Sequence, residues 1–161
     1  MPIPITEVLD TSKRFESYAK KLDISSPSIL IADIGGFLYR DNIRVHDLGM
    51  VCDKTIAKSL GEGVSSPDLD RFHNYVFADI RPSFIATRAY HSWLASLDRD
   101  TRFREYYVPI FQYTDQWVLA RYKETIISGD FIRKDIVIGK EEILEEIRNN
   151  AKDVPYAGYK K

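Results

Sequence analysis

The sequence predicts an α/β domain: a mixed, mainly parallel sheet flanked by helices, with an antiparallel hairpin toward the C-terminus. Three observations predict it. The run Ile29-Leu30-Ile31-Ala32 is apolar without interruption and of strand length. Such a strand needs cover on both faces, as an interior strand of a parallel sheet has. Elsewhere, apolar residues recur at three- and four-residue spacing, the pattern of amphipathic helices. Two aromatic-rich runs, Tyr106–Tyr113 and Trp117–Tyr122, are separated by the polar Thr114-Asp115-Gln116, which reads as a β-hairpin.

In chain order, Thr6–Leu22 reads as the first helix, with Val8, Leu9, Phe15, Tyr18, Ala19 and Leu22 on one face and Thr6 as its cap. Ser25-Ser26-Pro27-Ser28 breaks it ahead of the Ile29–Ala32 strand. Gly35-Gly36 turns the chain into a second strand, Ile43–Asp47. Asp53 caps a helix through Leu60, and Gly61–Pro67 is a connection. Asp68–Asp79 is a helix with Leu69, Phe72, Tyr75 and Val76 inward, and Pro82 stops it. Ser83–Thr87 is a third strand, followed by a short helix near Trp93–Leu97 and a polar turn at Asp98–Phe103. Lys140–Asn150, with Ile143, Leu144 and Ile147 on one face, is the last helix, and the tail beyond it is expected to be loose.

Nothing divides the chain, so residues 1–161 are expected to form one domain. The 23 basic and 24 acidic residues are interspersed and sum to a charge of −1, which argues against nucleic acid as a partner. Cys52 is the only cysteine, so an internal disulfide and a thiolate zinc cluster are excluded. No apolar run reaches the ~20 residues needed to span a bilayer, and no signal-peptide pattern follows Met1. No pattern calls for a metal or another cofactor, and none is expected.

The first candidate for chemistry is Asp33, at the carboxyl end of the apolar strand and followed by Gly35-Gly36. Haloacid-dehalogenase phosphatases keep their nucleophile at such a position. Their chemistry also needs an aspartate two residues on, where this chain has Gly35. Asp33, Asp47 and Asp53 form an acidic group whose members near strand ends can converge on a ligand. The simpler roles are a loop cap for Asp47 and a helix cap for Asp53. His46 and Asp47 make a poor dyad, since neighbours on a strand point to opposite faces. His73 sits beside Asn74 on a helix and is expected in solvent. Arg81, Arg88 and His91 flank the third strand, where α/β crevices open, and suit an anionic or polyol group. Tyr106, Tyr107, Phe111, Tyr113, Trp117 and Tyr122 read either as sheet packing or as a glycan-gripping surface.

Several of these segments form an ordered series. It runs through Ala32-Asp33-Ile34-Gly35-Gly36, Tyr39, and then Val45-His46-Asp47-Leu48-Gly49-Met50 to Asp53 and Ile56-Ala57. It continues with His73-Asn74-Tyr75-Val76 and Arg81-Pro82-Ser83-Phe84-Ile85. Across residues 5–125 this order resembles the soluble extracytoplasmic domain that ends many bacterial and archaeal membrane proteins of the glycosyltransferase-C type. Those proteins are similar to dolichyl-phosphate-mannose mannosyltransferases and mycobacterial arabinosyltransferases. Met50 departs from the pattern, which prefers leucine there, but keeps the apolar contact.

The resemblance implies a non-catalytic domain of a larger membrane protein, outside the cytoplasmic membrane, that binds acceptor glycan or shapes an active-site entrance. Its partners would be a glycan or lipid-linked sugar and the membrane portion of its own chain. The catalytic acid of such proteins lies in that membrane portion, so no catalytic residue carries over. Asp47, Gly49 and Asp53 carry over as motif positions only. The alternatives are a free-standing, cytoplasmic phosphatase using Asp33, and a protein-interaction module.

Overall fold

The computed structural model describes residues 5–37, 42–61 and 66–151. Tyr39 of the ordered series, most of the Gly61–Pro67 connection and the C-terminal tail lie outside them. The fold is α/β, with helices on both faces of a five-stranded mixed sheet. The strands are β1 (Ser28–Ile31), β2 (Arg44–Asp47), β3 (Phe84–Thr87), β4 (Tyr107–Thr114) and β5 (Ile127–Arg133), arranged in the order β2-β1-β3-β5-β4. β2, β1 and β3 run parallel, whereas β5 pairs antiparallel with both β3 and β4.

β1 occupies the interior position that its apolar run demands. Ile29 and Ile31 face one layer, with α1 (Ile5–Lys21) and α8 (Glu141–Ala151), and pack with Phe15, Leu22, Phe84, Ile132 and Ile147. Leu30 faces the other layer, with α2 (Lys54–Leu60) and α3 (Leu69–Asn74), and meets Ile56, Phe72, Val76, Phe77 and Ile85. Each layer thus takes alternate residues of the same strands.

α3 continues into a π-helical segment, Tyr75–Ile80, which closes with a bond from Arg81 N to Val76 O, five residues back. Arg81 ends it at φ 40°, and β3 begins three residues later. After β3 come α4 (Ala89–Ala95), a 3₁₀ turn (Leu97–Arg99) and α5 (Thr101–Tyr106). β4 is an edge strand interrupted by an irregularity between Pro109 and Phe111, both of which discourage edge-to-edge pairing.

The hairpin differs from expectation. Trp117–Tyr122 falls within a helix, α6 (Gln116–Tyr122), and the strand that pairs with β4 is β5. Asp115 decides the matter. Its Oδ1 accepts from Trp117 N and Val118 N, an N-cap that starts the helix immediately after β4. Its Oδ2 accepts from Ala89 N and the Ser128 hydroxyl, so the carboxylate is fully buried with four donors. α6 then packs against α4, with Trp93 and Tyr122 stacked at 4.0 Å, and a short α7 (Lys134–Val137) leads from β5 toward α8.

Candidate functional site

Because β1, β2 and β3 are parallel, their carboxyl ends share one edge of the sheet, the place where open α/β sheets bind ligands. Four of the six candidate residues gather there. Asp33 lies just beyond β1 and is exposed, Asp47 is the last residue of β2, and Arg88 follows β3 directly. His91, in the first turn of α4, lies close enough to Asp47 to feel its charge.

Asp47 is buried and holds a backbone loop. Its Oδ1 accepts from Gly49 N at 2.8 Å, and its Oδ2 from Val51 N and Cys52 N, each at 2.7 Å. Gly49 is needed for this closure: a Cβ there would stand 2.7 Å from the Ala32 carbonyl and 2.9 Å from Asp47 Oδ1. The loop therefore ties the end of β2 to the residue that follows β1.

Asp53 caps α2 through Thr55 N and Ile56 N, and its Oδ2 accepts from the Tyr75 hydroxyl at 3.1 Å. The same oxygen is 3.8 Å from His46 Nδ1. The imidazole of His46 thus neighbours Asp53, on the far side of the strand from Asp47, as the alternation of strand side chains requires. Motif positions Asp53 and Tyr75, distant in sequence, form one polar contact on the α2–α3 layer.

Arg81 stands apart from this group. It precedes β3 whereas Arg88 follows it, and seven residues at ~3.3 Å each separate them by roughly 20 Å. Its guanidinium lies over the Tyr106 ring at 5.4 Å. His73 is buried, against expectation. Its Nε2 bonds the Ala95 carbonyl at 2.8 Å, and its Nδ1 lies 3.5 Å from Asp100 Oδ2. Asp100 is in turn gripped by Arg102, whose hydrogen bonds hold its carboxyl below the usual carboxylate range.

The residues that sequence reasoning missed are Arg14, Tyr18 and Asp130. Asp130, on β5 opposite Ala86, is fully buried at the same sheet edge. Arg14 from α1 donates to its Oδ2 at 3.0 Å, and Arg88 donates to its Oδ1 at 2.9 Å. Arg14 does leave a trace in the sequence, since it stands four residues before Tyr18 and shares the helix face that meets the sheet.

The backbone that carries Arg88 and His91 is itself held. Ala89 adopts φ 49°, a conformation costly for a residue with a Cβ, and its N–H is bound by the buried Asp115. Of the aromatic residues, Tyr106 ends α5, Tyr107, Phe111 and Tyr113 lie on the edge strand, and Trp117 and Tyr122 lie on α6. Tyr107 is buried with its hydroxyl on the Pro82 carbonyl, Phe111 and Tyr113 stack on β4, and Trp117 is 40% exposed beside Tyr122.

Burial sets the protonation of two histidines. It holds the His46 and His91 imidazoles below the ordinary 6.5; Arg44 adds to the effect at His46, while Asp53 and Asp47 oppose it at His46 and His91 respectively. As pH falls below 6.5, the unfolded chain takes up protons that the folded protein resists, so the unfolded state binds more and stability falls. The loss levels off once the pH passes below the folded-state values. The denaturant midpoint is accordingly expected to fall from about pH 7 to about pH 5. The doubly substituted protein with His46→Gln and His91→Gln is expected to show a shallower fall, and an unchanged profile would contradict this assignment.

Two open cavities, about 520 and 590 Å³, lie at the opposite edge of the sheet, around Pro27, Asn42 and Ile43. Among the described residues, no three His, Cys, Asp or Glu side chains are placed to hold one metal ion. Nor is any described helix long and apolar enough to cross a membrane. Comparisons with protein-family models, curated proteins and solved structures find no match to this chain.

Proposed function

We propose that this chain is a non-catalytic, extracytoplasmic domain of a membrane glycosyltransferase-like protein, which binds acceptor glycan or lines the entrance to an active site carried elsewhere. The observation that carries the reading is the use made of the motif acids. Asp47 accepts three backbone N–H bonds, and Asp53 accepts two together with a tyrosine hydroxyl. Carboxylates engaged in this way fix the backbone at the strand ends. They hold the backbone beside Asp33, Arg88 and His91, the proposed polar rim that meets the ligand.

A glycan suits such a rim, since its hydroxyls both donate to carboxylates and accept from guanidinium and imidazole groups. Trp117, exposed beside Tyr122, supplies an apolar face of the kind sugars stack on. The phosphatase alternative rests on the position of Asp33 alone.

Cys52, the only cysteine and an exposed one, makes the location testable. In intact cells that produce the protein from its own locus, a membrane-impermeant maleimide is expected to label Cys52. Labelling only after the membrane is permeabilised would contradict an extracytoplasmic domain.

A further inference from the structure

We infer that the larger of the two cavities at the opposite edge of the sheet is a second ligand site, one that takes a small polyol carrying a single anionic group. The cavity measures about 590 Å³, and its wall includes Ser25, Ser26, Arg44, His46 and Asp79. Arg44 and His46 stand two residues apart on β2, so their side chains leave the same face of the strand. Arg44 is exposed, whereas the side chain of His46 is only 6% exposed. Asp79 and Ile80, which also line the cavity, end the π-helical segment, a rare geometry found frequently at functional sites.

The independent observation is the way His46 is held. Its Nδ1 faces Asp53 Oδ2 at 3.8 Å, and the same oxygen accepts from the Tyr75 hydroxyl at 3.1 Å. Burial keeps the ring neutral, and a carboxylate on that side favours the proton on Nδ1. Nε2 is then an acceptor, and it has no hydrogen-bond partner among the described residues. A ring nine-tenths buried and oriented in this way offers that nitrogen to the occupant of the cavity.

The remaining groups decide the class of ligand. Among the described residues the Arg44 guanidinium makes no hydrogen bond or ion pair, so it can receive an anionic group. The Asp79 carboxylate and His46 Nε2 both need donors, which hydroxyls supply. A bare oxyanion would face the charge of Asp79, and a neutral sugar would leave Arg44 unused. Hydroxyls together with one carboxylate or phosphate satisfy all three.

Gluconate, glycerol phosphate and glucose, titrated separately into the isotope-labelled protein at neutral pH and constant ionic strength, test the site and distinguish the two anionic groups. Saturable shifts are expected at the His46 ring nitrogens and the Asp79–Ile80 amides with at least one of the anionic polyols, and the tighter binder identifies the group. Glucose is expected to bind about tenfold more weakly, and Arg44→Gln, at an exposed position, to weaken the anionic ligand by a similar factor with the fold intact. No saturable shift at His46 in the millimolar range, equal affinity for glucose, or equal affinity in the Arg44→Gln variant would overturn the site. Shifts at His91 without any at His46 would place the ligand at the carboxyl edge and overturn it as well. The site shares no residue with the rim of Asp33, Arg88 and His91, so its failure leaves the extracytoplasmic reading standing, and Cys52 labelled only after permeabilisation leaves the site standing.

Discussion

Replacement of Asp130 by alanine lowers the unfolding free energy by about 3–5 kcal/mol, as expected when one partner is removed from a buried ion pair. The magnitude follows from what is left behind. Arg14 and Arg88 lose the carboxylate that neutralises them, and both are mostly buried. The attraction between the groups matters less than this, since the desolvation cost of a buried pair offsets much of it. The effect should be local as well as global. Arg14 is the polar tether of α1 to the sheet edge, so amide exchange in the middle of α1 is expected to accelerate more than exchange in α2 or α3. Asp130→Asn keeps the shape and one acceptor, and should cost less. Urea unfolding measures both variants, and a loss below about 1 kcal/mol for the alanine variant would show the arginines to be adequately solvated without Asp130.

Gly129→Ala is expected to be comparably severe for a steric reason. Gly129 lies in β5 at φ 153°, where a side chain is disfavoured. A Cβ there would stand 2.2 Å from the Phe111 carbonyl oxygen and 2.9 Å from Gln112 Cα. Both atoms belong to the paired backbone of β4, so no side-chain rotation relieves the clash, and the β4–β5 ladder must separate locally. A loss of about 3 kcal/mol or more is expected, in the class of steric and special-backbone effects. The readout is the thermal or urea midpoint together with loss of amide protection across β4 and β5. A variant of native stability would mean that the two strands are not in this register.

These two residues also explain where the fold was legible in the sequence and where it was not. The apolar β1, the amphipathic α1 and α8, and the Asp53 cap of α2 each declare themselves within one short window, because local pattern and final burial agree. Ser128-Gly129-Asp130 does the opposite: small and polar residues in a row have the composition of a turn. They occupy an interior strand because Ser128 and Asp130 find partners on distant segments, and because Gly129 must admit the neighbouring backbone. Trp117–Tyr122 errs in the other direction, since its aromatic composition favours a strand. A single capping carboxylate, Asp115, overrides that preference.

The candidate site divides along the same line. Asp47 and the capping oxygen of Asp53 act on backbone two to five residues away, within reach of sequence reasoning, whereas the Asp53–Tyr75 contact spans 22 residues. The Arg14–Asp130 pair spans 116 residues and has no local signature. His73 escaped for a similar reason, since the Ala95 carbonyl that receives its ring lies 22 residues on.

In the proposed function, the carboxyl edge of the sheet binds a ligand and performs no turnover. The most direct test is a single titration of the isotope-labelled protein with short oligosaccharides and with a generic phosphate ester, while product formation is followed in the same sample. Saturable shifts are expected at Ala32–Asp33, Asp47–Asp53, Thr87–His91 and the Trp117 side chain, with no product. Hydrolysis of the ester that disappears in the Asp33→Asn variant would contradict it and establish this edge as a catalytic centre.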